Sequence, residues 1–419
     1  MIGSATRFTP RPRPARLVLT ILTTTLLISC AQLTAQSLDP EVCHRITLEE
    51  EIMWPAAAVW LDDEIALVDA TQGSLRAVRV DGAHRGAVRA LSEIREGIDR
   101  SRSPLEVEQL QWSVPVLIQQ LPNGGMFIEE ELQVERQDGK NEVLERAYRL
   151  DATRQVERID PIDRLPLTST PSAYSRLSTY DTIAFGDGYL AFADFRSEET
   201  KNYHRGFTYF DRDEQLTLEP HFTPYGDAIQ WYLLLSPLSA TLDDDAFFLL
   251  LEDEKTHVSV SLGQADFDRD QIISLRALPA PYDRLPTFED TPREADVDRE
   301  IAGLRKLEES IAITGLFGWN EALYLPAKQA ATDDGPITWE LLQLDPADGS
   351  LINKIPLPET RARHLTVIPG DTFWAFIERD RAFAYGPRYK TYVRARSVML
   401  LPARWMTGDS ELTRPVHCR

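Results

Sequence analysis

Along most of the chain, short apolar runs alternate with tight polar turns, and the pattern recurs. A polar turn rich in Asp, Asn or Gly is followed by a strongly apolar or aromatic run six times: LDDEIALVDA (61–70), LPNGGMFIEE (121–130), FGDGYLAFAD (185–194), LDDDAFFLLLE (242–252), GWNEALYLPA (318–327) and PGDTFWAFIE (369–378). Gly, Asn and Asp suit such turns because they tolerate positive φ or bond back to the backbone. A second, alternating run follows each one: LRAVRVDG (75–82), ERAYRLDA (145–152), GFTYFDRD (206–213), GQADFDRD (263–270), WELLQLDPADG (339–349) and YVRARSVMLLP (392–402). Alternation with period two, in runs too short for helices and bounded by turn residues, predicts β-strands throughout. One such unit cannot bury both of its faces, so the units must stack on one another.

Six units of about 60 residues resemble a six-bladed β-propeller, the broad group that includes NHL-type, lactonase-type and TolB-type propellers. The resemblance covers residues 44–405 and rests on repeat count and strand rhythm. It implies an all-β fold, a single propeller of four-stranded antiparallel blades closed by pairing of the N- and C-terminal strands. Residues 42–48 (VCHRITL) and 412–418 (LTRPVHC) read as the closing strands. A seven- or eight-bladed propeller and two β-sandwiches are the other readings of the same rhythm. Three stretches break it. Residues 92–109 and 153–178 read as connections between blades, and the highly charged 287–309 reads as a surface insertion whose second half, 294–309, has helical character.

The N-terminus follows a different pattern. Residues 1–16 carry Arg7, Arg11, Arg13 and Arg16 and no acid, and 17–29 (LVLTILTTTLLIS) are uncharged and mostly apolar. A basic stretch before an apolar one of this length reads as a secretory signal, too short to span a bilayer. The run Leu27-Ile28-Ser29-Cys30 resembles the bacterial lipobox, which implies lipidation at Cys30; ordinary cleavage nearby, for instance after Ala31, is the alternative. The expected organisation is a lipoprotein signal over 1–29, a flexible tether over 30–41 and the propeller over 42–419. It belongs to an exported bacterial envelope protein, an outer-membrane lipoprotein facing the periplasm or the exterior. With Cys30 lipidated, Cys43 and Cys418 remain near opposite ends of the mature chain. In an oxidising compartment they suit a disulfide that staples the closing seam, the alternative being two separate thiols.

Charge narrows the partners. The net charge is −21 and only 7 of the 45 basic residues are Lys; loss of the four signal arginines takes the net to −25. Such a surface repels nucleic acid and anionic membrane. A salt-tolerant or high-GC source and plain codon bias explain the scarcity of Lys equally well. The expected partners are therefore the membrane through the lipid and a protein, peptide or glycan ligand, bound by a monomer.

The chain has no G-x-S-x-G, H-E-x-x-H, Walker or dinucleotide-binding glycine signature, and its seven histidines are scattered. Asp266-Phe267-Asp268-Arg269-Asp270 begins like a calcium loop, but Gln271 replaces the turn glycine and Ala277 the twelfth-position glutamate, so no cofactor is expected and calcium is unsupported. Propeller sites lie at the channel mouth, where the segments before each inner strand converge. Trp54, Trp112, Tyr180 and Trp231 occupy that slot, with Arg363 and His364 in the sixth copy and Asp181 the acid nearest it. They read as a ligand-binding ring of aromatics plus a cation, or as aromatics packed between blades. Lacking a catalytic signature, the expectation leans toward a non-enzymatic binding or scaffolding propeller. The alternative is a hydrolase or lyase for sugars, lactones or peptides at the channel mouth, which requires converging acids.

Overall fold

The computed structural model describes residues 38–53, 58–69, 73–80, 85–120, 125–151, 153–159, 174–185, 188–197, 203–210, 215–217, 239–242, 245–253, 257–266, 271–286, 313, 315–328, 337–362, 364–384, 390–406 and 418. The chain opens with β1 (His44–Met53), β2 (Ala58–Leu61), β3 (Glu64–Asp69), β4 (Ser74–Arg79) and β5 (Arg85–Ala90). Two short helices follow, α1 (Ser92–Ser101) and α2 (Pro104–Gln109). Next come β6 (Leu110–Gln120), β7 (Met126–Glu135), β8 (Asn141–Leu150), β9 (Val156–Ile159), β10 (Tyr174–Phe185), β11 (Gly188–Ser197), β12 (Tyr203–Phe210) and β13 (Gln215–Thr217). They are followed by β14 (Ser239–Leu242), β15 (Asp245–Asp253), β16 (His257–Asp266), β17 (Gln271–Ala277) and β18 (Arg284–Pro286). The remainder is β19 (Phe317–Trp319), β20 (Ala322–Lys328), β21 (Trp339–Leu344), β22 (Leu351–Pro356), β23 (His364–Ile368), β24 (Phe373–Ala384) and β25 (Lys390–Pro402), ending in a 3₁₀ turn, Ala403–Met406.

These strands form β-meanders in chain order, the β-propeller type of arrangement. β6–β9, β10–β13 and β19–β22 are four-stranded sheets, and β14–β17 form a fourth with β18 added against β16. The remaining strands make one sheet in the order β2-β3-β4-β5-β1-β25-β24-β23, whose halves meet only where Thr47 and Leu48 of β1 lie parallel to Arg85 and Gly86 of β5. First strands of successive sheets touch in turn: β23 with β2, β2 with β6, β6 with β10, β10 with β14 and β14 with β19.

Sheets stacked face to face cover the second strand of each on both sides, so those strands read as continuous apolar runs rather than alternating ones. Every residue of β20, ALYLPAK, is buried, as are five of six in β3. The outer β22 alternates instead, with Leu351, Asn353 and Ile355 the less exposed side. The core divides between neighbouring sheets. One cluster joins Val59, Val68 and Ala77 to Ile118, Ile128 and Tyr148, with Ile94 and Ile98 of α1. Another joins Tyr324, Trp339 and Leu341 to Trp374, Phe376, Met399 and Cys43. A third places Ile46 and Ile52 of β1 against Ile65, Ile377 and Val398.

The disulfide between Cys43 and Cys418 is present, with 4.7 Å between their Cα atoms. The N-terminal strand pairs antiparallel with β25, His44 opposite Leu400 and Thr47 opposite Ser397. The expectation named 412–418 as its partner; among the described residues β25 takes that place, and residues 412–417 lie outside them. Residues 92–109, expected as a plain connection, are the two helices. The charged stretch 287–309 and the signal and tether regions up to residue 37 lie outside the described residues.

Candidate functional site

The apolar run of each second strand stops on charged residues at the end where the first strands begin. β3 ends on Asp69, β7 carries Glu129, Glu130 and Glu131, β15 ends on Glu252 and Asp253, β20 on Lys328, and β24 continues through Glu378 and Arg379. Asp69, Glu129, Glu130, Lys328, Glu378 and Arg379 are all buried. Burying a charge is costly unless it is paired and hydrogen-bonded, so each of these groups has to be accommodated by its neighbours.

Glu130 is fully buried on the face of β7 that looks toward α1. Its carboxylate accepts from Arg95 Nη1 at 2.6 Å, from Arg102 Nη2 at 2.8 Å to both oxygens, and from the Tyr148 hydroxyl at 3.2 Å. Ser113 Oγ accepts from both arginines, 3.0 Å from Arg102. Burial, together with the charge of Glu130, pushes the Tyr148 phenol well above its ordinary range. Burial alone would lower Arg102, but its bonds to Glu130 hold it above its usual value. A second buried carboxylate, Glu106 of α2, bonds Arg146 Nε at 2.7 Å and both Arg158 Nη atoms at 2.7 and 3.0 Å, and its side chain caps the Ser103 N–H. Burial would raise Glu106, yet these donors outweigh it and hold the carboxyl down at about 2.

The last-numbered sheet has its own network. Glu378 accepts from the Thr360 hydroxyl, from Ser397 Oγ at 2.6 Å and lies 3.1 Å from Arg45 Nη2. Arg379, next along β24, stands opposite His364 in the register, and burial lowers its guanidinium to about 10.

Glu129 and Glu131 flank Glu130 on β7. The β7–β8 register runs unbroken from Met126 to Glu135, so Glu129 and Glu131 share the face opposite Glu130. Two residues of strand separate their Cα atoms by roughly 6.7 Å. Glu129 is buried and Glu131 half-buried, and desolvation raises the Glu131 carboxyl above its ordinary range. The ladder is interrupted beside them: the pairing of β6 with β7 shifts between Pro115 and Leu117, the residues opposite Glu130 and Glu129. Register shifts recur at Thr179/Asp181 in β10 and at Glu378/Arg379 in β24. Bulges of this kind turn side chains out of the regular pleat and are over-represented beside active sites.

The sequence-derived ring is placed only in part. Trp112 lies on β6, exposed, its indole N–H donating to Gln133 Oε1 on β7. Tyr180 and Asp181 lie on β10 beside a register shift. His364 opens β23 and is buried opposite Arg379. Trp54, Trp231, Arg363 and Cys30 lie outside the described residues. Among the described residues, no group of three or more His, Cys, Asp or Glu side chains is placed to hold a metal ion; of the Asp266–Asp270 stretch only Asp266 is described, at the end of β16. The acids of β7 were missed by motif search. The available signal was three consecutive glutamates inside a strand whose other positions are largely apolar.

No family model matches the chain, and no curated protein matches it. Solved structures to which it is similar include a calcium-binding regucalcin from Agrobacterium tumefaciens (10% identity, 87% of this chain and 94% of that one, TM-score 0.36). An α-L-arabinanase from Penicillium chrysogenum, complexed with arabinobiose, is matched at 9% identity over 88% of this chain and 96% of that one, with a TM-score of 0.41. The soluble aldose sugar dehydrogenase of Escherichia coli is matched at 10% identity over 85% and 99%, with a TM-score of 0.38. The arabinanase and the dehydrogenase are enzymes by name, and this corrects the expectation that leaned away from catalysis.

Proposed function

We propose that the chain is a six-bladed propeller enzyme that hydrolyses glycosidic bonds. In this reading the blades are β2–β5, β6–β9, β10–β13, β14–β17 with β18, β19–β22, and β23–β25 completed by β1 as their fourth strand. The sheet orders support it. One observation carries the catalytic assignment: a half-buried carboxyl raised by desolvation, Glu131, shares one face of β7 with the buried Glu129.

Glycoside hydrolysis needs two carboxyl groups in unlike environments, one protonated and one ionised. Desolvation favours the protonated form of Glu131, and in this reading that form gives its proton to the leaving glycosidic oxygen as the anomeric C–O bond breaks. Water adds its oxygen to the anomeric carbon and loses a proton to the Glu129 carboxylate. The next cycle returns that proton to Glu131 through solvent. Glu130, clamped by Arg95 and Arg102, fixes the backbone from which both acids project.

The test is hydrolysis of 4-nitrophenyl glycosides and unmodified disaccharides of neutral sugars. Glu131→Gln is expected to lower turnover of disaccharides by about 10²–10³, and of 4-nitrophenyl substrates much less, since a good leaving group needs little protonation. The wild-type rate should fall as pH rises through the raised carboxyl pKa, because the protonated form is the active one. Equal losses on both substrate classes, or no loss, would sink the assignment.

The reading includes export and anchoring of a monomer through lipid on Cys30, with a glycan rather than nucleic acid as its partner. A fatty-acid probe should label cells expressing the wild type and not Cys30→Ser; an unlabelled wild type would remove the anchor.

A further inference from the structure

At the opposite end of the strands, where first strands turn into second strands, a cleft of about 390 Å³ opens between the β19–β22 and β23–β25 sheets. Its wall is aromatic. Trp319, half-buried, packs edge-on against Trp374 at 6.2 Å between ring centroids, and Tyr324 packs behind it against the same ring at 5.0 Å. Its rim is polar: Asn320, Gln343, Asp371 and Arg404 all line the opening. The β19–β20 turn that presents Trp319 and Asn320 holds two consecutive non-glycine residues at positive φ, Asn320 at 45° and Glu321 at 61°. A hairpin turn of this kind favours glycine at its second position, so the chain maintains a strained turn beside the cleft.

The lining is selective by chemistry. A sugar ring has a C–H face that stacks on an aromatic side chain and a rim of hydroxyls that each donate and accept. The amides of Asn320 and Gln343 satisfy such hydroxyls in both directions, and the Asp371 carboxylate accepts from them. A phosphate or carboxylate ligand fits less well. Arg404, the cation at the rim, already pairs with Glu41, and Asp371 would repel an anion. The volume is at the small end of ligand sites, room for one or two sugar units.

We propose that this cleft is a saccharide-binding site, separate from the β7 carboxylates and able to hold one or two neutral sugar units. It requires no catalysis, so it stands or falls apart from the hydrolase reading. The experiment is calorimetric titration of the full chain, carrying Glu131→Gln to prevent turnover, with glucose, galactose, xylose, N-acetylglucosamine, cellobiose and maltose. At least one of these sugars is expected to bind, with affinity reduced at least 5-fold by Gln343→Ala and by Asn320→Ala. Both residues are at the rim, and the thermal midpoint should hold within a degree or two. Trp319→Ala should abolish binding; because Trp319 also packs on Trp374, the rim variants decide the case if it fails to fold. Absence of binding by every sugar at 20 mM, or binding indifferent to both rim substitutions, would overturn the proposal.

Discussion

Glu106 shows how a single carboxylate holds a connection in place. It is buried between Arg146 and Arg158, with the Ser103 N–H as a third donor. Replacing it with Gln keeps the shape but removes the charge that both arginines bond, one of them fully buried, and breaking a buried pair from one side costs about 3–5 kcal/mol. The folded carboxyl sits at about 2, below its ordinary 4.5, so the folded state binds fewer protons than the unfolded one and gains from ionisation. That contribution is complete above about pH 4.5 and is lost as pH falls toward 2. Glu106→Gln should therefore lower the urea midpoint at pH 7, and the gap to wild type should close between pH 4.5 and 2.5. A gap that stayed constant over this range would mean that the charge of Glu106 is not what the arginines need.

Among the elements, the strands were legible and the helices were not. The six quoted turn-and-strand segments fall on β2/β3, β6/β7, β10/β11, β14/β15, β19/β20 and β23/β24, and the alternating runs on the third strands, because burial on two faces or one writes itself directly into the polarity pattern. The 92–109 connection hid its helices behind charge and a mid-helix Gly97, although Ser103-Pro104-Leu105-Glu106 is a capping box with proline at the first turn, a signature readable without any structure. The β7 acids were lost for a different reason. With 66 acidic residues in the chain, pairing any two by eye carries no information until a register puts them on one face. Gly97 itself is explained by packing. A Cβ there would lie 2.5 Å from Val156 Cγ2 and 3.3 Å from Val156 Cβ, where α1 crosses β9. Alanine gains about 1 kcal/mol in helix propensity, whereas forcing a methyl into a filled contact costs about 1–3 kcal/mol, so the clash wins. Gly97→Ala should lower the thermal midpoint and Gly97→Ala with Val156→Ala should recover part of the loss. A midpoint raised by Gly97→Ala alone would show that the helix moves off β9 at no cost.

At the scale of the whole molecule, closure is the weakest point of a ring of sheets, because every other neighbour pair is linked by continuous chain. Here the first strand crosses to the last sheet, pairing with β25, and the two halves of the eight-stranded sheet meet through only two parallel register positions. The seam is secured covalently. Cys43 lies in the residue before β1, buried in the cluster with Trp374, Met399 and Met406, and its partner is 375 residues away. A cross-link closing so long a loop removes a large share of the unfolded chain's freedom, and the entropic account puts its contribution near the upper end of the usual range, about 3–5 kcal/mol. The same bond opposes fraying of β1 from β25 in the folded state, so both effects have one sign. Cys43→Ser should lower the thermal midpoint measured without reductant, and dithiothreitol should bring the wild type down to the same value while leaving the variant unmoved. If the two proteins melted together without reductant, strand pairing and the buried faces of Ile46 and Ile52 would be sufficient to hold the ring closed, and the disulfide would contribute no more than any exposed bond.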